Sequence, residues 1–217
     1  MGKYTTKGLY NRYDKKHKER SKTDYYATAP GETLNILRTA GLELDGTHIL
    51  EPCAGGGHML ADILEYLKET EQGAIVTATD LHEHKLFKDD LNIVVGEEFD
   101  FLADNYPGVD NIDWVIMNPP FSTIEPFTIR ALEIADRGLL LFARLQFLEG
   151  EGRYINILKE TPPTKVWVYV DRIQCWKEGI EPEGSSAQAY GWFLWDKSKM
   201  TPGYETVLAN IRRQDKL

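Results

Sequence analysis

Asn118, Pro119, Pro120 and Phe121 follow directly on the apolar run Ile112–Met117. Asn118 precedes a proline and is therefore biased toward an extended backbone. Pro119 and Pro120 fix their own φ and offer no N–H, so their carbonyls can only accept hydrogen bonds. The Asn118 side-chain oxygen is a further acceptor, and Phe121 supplies a ring on which a planar group can stack. Rigid acceptors beside an aromatic face suit a planar amino group. Such a nitrogen is a poor nucleophile because its lone pair is delocalised. When both its N–H bonds are held by fixed acceptors, it can pyramidalise and recover that lone pair, an example of preorganised polar groups acting where charge develops. No general base is required before attack on a good electrophile, because the proton can leave afterwards.

A second constellation lies upstream, in Glu51-Pro52-Cys53-Ala54-Gly55-Gly56-Gly57. It joins an expected strand over 47–52 to an expected helix over 58–69, on which Leu60, Ile63, Leu64 and Leu67 share one face. Glycines at such a turn let the backbone approach a ligand closely, and the helix that follows offers unpaired N–H groups. No Gly-Lys-Ser/Thr follows, so this is not a P-loop, and it does not read G-x-G-x-x-G. Asp80 closes the next strand, 25 residues beyond Gly55. In doubly wound folds an acid there reaches ribose hydroxyls, whereas a plainer role is helix capping. Together the loop and the acid favour a bound nucleoside. Glu51, at the end of its strand, can face an ammonium group or simply meet solvent.

The order and spacing of residues 51–57, Asp80, Phe99-Asp100-Phe101 and residues 118–121 resemble S-adenosylmethionine-dependent amino methyltransferases. Within that group the chain is similar to DNA adenine-N6 methyltransferases of the compact kind that phages encode, in the gamma-type motif order. Residues 24–30 also look like the segment these enzymes place before the cofactor loop. The similarity runs in order over residues 24–148. It implies S-adenosylmethionine as the cofactor, with Pro52, Cys53, Ala54, Gly55 and Gly57 lining it and Glu51 near its methionine amino end. It implies that Asp80, followed by Leu81, binds the ribose, and that Asp100 and Phe101 flank the adenine. Tyr26 and Thr28 would touch the methionine part. Asn118 and the Pro119 carbonyl would hold the target amine, and Phe121 would stack the flipped base.

The chain departs from the larger enzymes of that kind: only 96 residues follow Phe121, too few for a separate recognition domain. Contacts to DNA would fall to the N-terminal arm, residues 122–130 and residues 144–189. RNA adenine or guanine amino methylation and protein glutamine methylation remain alternative readings. A non-catalytic binding protein of the same fold is a reading from another class.

The elements that must position these residues alternate strand and helix. Apolar runs predict seven strands, over 47–52, 74–80, 91–96, 112–117, 138–144, 164–170 and 190–196. Helices are predicted over 30–41, 58–69, 124–137 and 151–160, with a short helix in the tail at 204–214. Near-continuous apolar strands separated by helices predict one doubly wound, mostly parallel, Rossmann-like α/β domain over 24–217. Residues 171–189 read as a long, substrate-contacting loop. Trp167 and Trp192 sit in strand patterns and read as core, which leaves Trp176 as the best indole for a contact. Arg144, Arg153 and Arg172 are candidates for phosphate contacts. His58 reads as a cap on its helix, and the segment 82–84 (His-Glu-His) reads as a solvated helix start rather than a metal pair; no metal is expected.

Residues 1–23 carry eight Lys/Arg against two acids, so the remaining chain holds −15 of a total of −9. A basic arm on an acidic body suits phosphate contact and equally a solvated terminus. Two cysteines argue against a disulfide framework or zinc cluster. No apolar run approaches the ~20 residues of a membrane span, and the first ten residues lack a signal-peptide core. A cytoplasmic location is the expectation.

Overall fold

The computed structural model describes residues 25–84, 93–107, 110–184 and 188–214. Strand β5 (Ile112–Met117) explains why the strands read as unbroken apolar runs. Trp114 and Ile116 enter one core layer, while Val115 and Met117 enter the layer on the opposite face. A strand covered on both faces has no polar side to alternate with.

The chain forms β1 (Tyr26–Ala27), β2 (His48–Glu51), β3 (Ile75–Asp80), β4 (Ile93–Val95), β5, β6 (Ala135–Arg144), β7 (Lys165–Tyr169), β8 (Trp176–Lys177), β9 (Tyr190–Asp196) and β10 (Val207–Ile211). Eight of these make one sheet in the order β10-β7-β9-β6-β5-β2-β3-β4. Strand β9 is antiparallel to both β6 and β7, and every other pairing in that sheet is parallel. From β2 the chain winds outward to β3 and β4, and from β5 outward to β6. The order therefore reverses between β2 and β5, the place where doubly wound sheets open a crevice at the carboxyl ends of their strands.

Helices α1 (Glu32–Ala40) and α2 (His58–Glu69) cover one face, through Ile36, Leu37, Ile63 and Tyr66. Helix α3 (Ile124–Ile134) covers the other, through Phe127 and Ala131. The Gly31 N-cap has no side chain, so the start of α1 is satisfied from outside. Asp62 of α2 accepts N–H groups of Gly31, Thr33 and Leu34 at 3.1, 3.0 and 3.2 Å. At its other end Gly41 adopts φ 59° and donates its N–H to the Leu37 carbonyl, the left-handed cap for which glycine is suited. Helix α4 (Glu151–Arg153) runs on into a π-turn (Tyr154–Leu158).

Four sequence expectations change. The tail is not a helix: β10 adds an eighth strand, parallel to β7 from Val207↔Lys165 to Ile211↔Tyr169. The free edge of β7 and the burial of Ile211 override the helical pattern. Helix α3 stops at Ile134 rather than 137, because Ala135 is already extended and pairs with Ile112. Residues 171–189 are not wholly loop, since β8 pairs antiparallel with β1 (Tyr26↔Lys177, Ala27↔Trp176). His58 is not a cap but the first residue of α2, and the N-cap is Gly57 at φ 82°. Trp167 and Trp192 are buried as expected. Residues 1–23 lie outside the described residues. Among the described residues no helix is long and apolar enough to cross a membrane.

Candidate active site

A cavity of about 350 Å³ opens at the carboxyl ends of β2, β3 and β5. It is within the size range of small-molecule sites. Of the residues singled out in the sequence, Tyr26, Pro52, Cys53, Asp80, Leu81, Asp100, Phe101, Asn118, Pro119, Pro120 and Phe121 line it. Phe99, Leu102 and Phe127 add apolar wall.

Asn118 leaves β5 and its side chain is locked. Its Nδ2 donates to the Tyr26 carbonyl at 2.7 Å and to the Thr28 hydroxyl at 3.1 Å. That places the amide nitrogen against β1 and turns Oδ1 the other way as the acceptor end. The two prolines then hold a turn that Thr123 closes by donating its N–H to the Pro120 carbonyl at 3.0 Å.

Phe121 is half-buried and packs against the core. The Arg144 guanidinium lies over its ring, 4.0 Å from the centroid, a cation–π contact. The Tyr26 and Tyr190 rings lie 5.3 and 6.2 Å away, and Arg144 Nε donates to the Tyr190 hydroxyl at 3.4 Å. Burial pushes the Cys175 thiol up to about 12, so this neighbour of Tyr190 and Arg144 is a neutral thiol.

At the other end the glycine loop is already hydrogen-bonded. Gly55 N donates to Asp80 Oδ2 at 2.8 Å, and Gly56 N donates to the Tyr25 hydroxyl at 2.7 Å. The Tyr25 ring covers the loop closely enough that a Cβ on Gly55 would sit 2.1 Å from it. Gly55 and Gly56 therefore lie beneath Tyr25, and Ala54, Gly55 and Gly57 do not form the cavity wall. Burial, the largest effect, pushes the Tyr25 phenol up to about 12 and keeps it neutral. Its ring lies 4.1 Å from that of His84. Asp80 also accepts from His82 N at 2.9 Å and contacts His84 Nε2 at 3.2 Å. His84 is thus not a solvated helix start but a side-chain partner of Asp80 and Tyr25.

Glu51 lies behind the loop, 2 % exposed, and its Oε2 has no hydrogen-bond partner. Burial holds its carboxyl well above the usual range, and the nearby Asp80 and Asp62 push the same way. Burial likewise raises the Cys53 thiol, with Glu51 and Asp80 adding to it, so Cys53 is a neutral wall residue and not a nucleophile. A buried acid with one unpartnered oxygen beside Asp80 suits a cationic ligand, and the Phe99–Phe101 wall suits a planar apolar one. Among the described residues no group of three or more His, Cys, Asp or Glu is placed to hold a metal ion.

The sequence reading did not single out Tyr25 beside Tyr26. A Tyr-Tyr pair before the loop was visible, but which ring turns inward depends on the β1–β8 pairing. Nor did it tie Arg144 to Phe121, whose meeting depends on β5 lying beside β6. Trp176 is half-buried, edge-on to His58 with centroids 5.8 Å apart.

No family model matches the chain, and no curated protein matches it. Among solved structures, a candidate class I S-adenosylmethionine-dependent methyltransferase from Listeria monocytogenes aligns at TM-score 0.58 and 13% identity over 95% of this chain and 72% of its own. The methyltransferase subunit of a type I restriction-modification system from Streptococcus thermophilus aligns at 0.62 and 14%, over 88% of this chain and 48% of its own. A candidate RNA methyltransferase from Pyrococcus horikoshii aligns at 0.54 and 19%, over 88% of this chain and 97% of its own. At these identities the likeness is one of architecture, and the chain has the Rossmann-like fold of class I methyltransferases.

Proposed function

We propose that this protein transfers the methyl group of S-adenosylmethionine to the N6 amino group of adenine in DNA. The observation that carries this reading is the Asn118 carboxamide. It is held by two hydrogen bonds with its acceptor end turned outward, at the head of a Pro-Pro-Phe turn, in one cavity with Asp80 and Asp100. Cofactor and acceptor amine would then meet across the crevice between β2 and β5.

The residues fit the cofactor on structural grounds. S-adenosylmethionine carries an ammonium and a sulfonium, and Glu51 presents a buried oxygen that lacks a partner. Asp80 and Asp100 stand at the wall. When bound, the cofactor supplies an electrophilic methyl on a positively charged sulfur. Glu51, charged again once a cation faces it, holds the ammonium; Asp80 holds ribose hydroxyls; Asp100 accepts from the adenine amino group beside the Phe101 wall. Tyr25 must release Gly56 and lift off Gly55 before the loop N–H groups become available.

At the acceptor end Asn118 Oδ1 and the Pro119 carbonyl accept the two N–H bonds of the target amine. Phe121 supports the base plane, with Arg144 on its ring. The proton leaves after transfer, so no side chain has to act as a base first. The base must be unstacked to reach Asn118, at a cost of a few kcal/mol. The basic stretch over residues 1–23 supports a nucleic acid as the acceptor, and the likeness to a restriction-modification methyltransferase subunit is consistent with one. The Pyrococcus likeness keeps RNA as the second reading. Radiolabelled cofactor incubated with duplex DNA, RNA and protein, followed by nucleoside digestion, tests this directly. N6-methyl-2′-deoxyadenosine from DNA is the expected product. Label found only in RNA or protein would reject DNA as the substrate.

A further inference from the structure

We infer that Thr28 is a positioning residue for the reaction, forming with the Tyr26 carbonyl a two-acceptor cradle that fixes which end of Asn118 faces the substrate. The inference rests on the proposed role of Asn118. It assigns Thr28 to the acceptor amine and not to the cofactor's methionine part.

Thr28 is 3 % exposed and does not line the cavity, so its hydroxyl acts through what it touches. A carboxamide nitrogen carries two protons. Here one goes to the Tyr26 carbonyl at 2.7 Å and the other to the Thr28 hydroxyl at 3.1 Å. If the amide flipped, Oδ1 would face the Tyr26 carbonyl, setting one acceptor against another at hydrogen-bond distance. Tyr26 thus forbids the flipped state, and Thr28 satisfies the remaining proton, which would otherwise be left buried and unpaired.

The cradle is itself held in place. Tyr26 and Ala27 form β1, paired with Lys177 and Trp176 of β8. Just before them, the Tyr25 carbonyl accepts the Glu178 N–H at 3.0 Å. Just after Thr28, the Ala29 carbonyl accepts the Glu32 N–H at 3.2 Å and ties the segment to α1. A short strap fixed at both ends therefore presents two acceptors to one side chain 90 residues away. The same cradle explains why residue 118 is asparagine and not aspartate. A carboxylate has no proton to give the Tyr26 carbonyl.

The test uses Thr28→Val, which keeps the shape and removes the acceptor, and Thr28→Ser, which keeps the hydroxyl. The first readout needs no acceptor substrate. The Asn118 side-chain NH2 pair, assigned in nitrogen-15 spectra by its loss in Asn118→Asp, should exchange slowly in the wild type and in Thr28→Ser. One proton of the pair should exchange at least ten-fold faster in Thr28→Val. The second readout is turnover on the acceptor that the labelling experiment identifies. Thr28→Val should lose kcat roughly ten-fold, the worth of about one such hydrogen bond, with cofactor Kd within two-fold of wild type by calorimetry, and Thr28→Ser should recover it. Unchanged amide exchange in Thr28→Val, or a cofactor Kd that rises in step with the lost activity, would overturn the assignment. If no acceptor is methylated at all, the function reading fails, while amide exchange still decides the role of Thr28.

Discussion

At the β5 end of the cavity, Asn118 gives its Nδ2 protons to Tyr26 and Thr28, and Phe121 is fixed between Arg144, Tyr26 and Tyr190. At the β2–β3 end, the N–H groups of Gly55 and Gly56 and the Asp80 carboxylate are engaged with each other and with Tyr25, His82 and His84. The first arrangement leaves one acceptor pointing outward and needs no rearrangement to receive an amine. The second has engaged the very groups a nucleoside cofactor would use, and must exchange partners to bind it. Positioning a weak nucleophile rewards rigidity, because catalysis there is a matter of preorganisation. A loop that must admit and release a ligand benefits from an internal substitute that satisfies its polar groups meanwhile.

The comparison breaks most sharply at Asn118. Asn118→Ala should reduce kcat by ~10²–10³-fold, the scale of a lost preorganised group, with cofactor Kd by calorimetry unchanged; near-normal turnover would sink the mechanism. Next in size, Asp80→Ala should weaken cofactor binding by about ten- to a hundred-fold, since it removes both the ribose partner and the Gly55 anchor, at 1.4 kcal/mol per ten-fold. An unchanged Kd would remove Asp80 from the cofactor site. Phe121→Ala should raise the KM for nucleic acid by about ten-fold, in line with ~1–3 kcal/mol per stacked base, while cofactor Kd stays put.

A smaller effect, of opposite sign, is expected at Tyr25. Tyr25→Phe loses only the hydroxyl that occupies Gly56 N–H, so cofactor should bind about two- to five-fold tighter, the worth of a fraction of one hydrogen bond. Weaker binding would mean that the hydroxyl contacts cofactor instead of standing in for it.

The smallest effect is one of stability. The Glu51 carboxyl sits well above its ordinary 4.5 in the fold. Between 4.5 and that raised value the folded chain holds a proton that the unfolded chain has lost. Stability should therefore fall as pH rises through this window, and Glu51→Gln should flatten the slope of Tm against pH. An identical slope in both proteins would show that Glu51 is not held protonated.

Much of this was legible in the sequence. Strands β5 and β9 have the predicted limits, 112–117 and 190–196, because a doubly covered strand is an apolar run with sharp polar ends. Helix α2 likewise runs over 58–69, set by its apolar face and the glycines before it. The misreadings share a cause. Strand β10 looked helical because leucine, alanine and asparagine tolerate a helix, and only the free edge of β7 makes it a strand. The pair β1–β8 is two residues long on each side, too short for any period to show, and exists because segments 150 residues apart meet. His84 looked solvated because a histidine between polar neighbours carries no mark of the tyrosine that will lie against it.

By itself the sequence determined the doubly wound, mostly parallel architecture and the rigid run of hydrogen-bond acceptors at Asn118-Pro119-Pro120 beside Phe121. These depend on local properties: apolar periodicity, glycine at turns, and proline's fixed φ and missing N–H. Only the tertiary structure decided how Asn118 is oriented, which tyrosine covers the glycine loop, and that Arg144 lies on Phe121. Each is a contact between elements far apart in the chain, set by strand register and packing, and no local pattern encodes such a meeting.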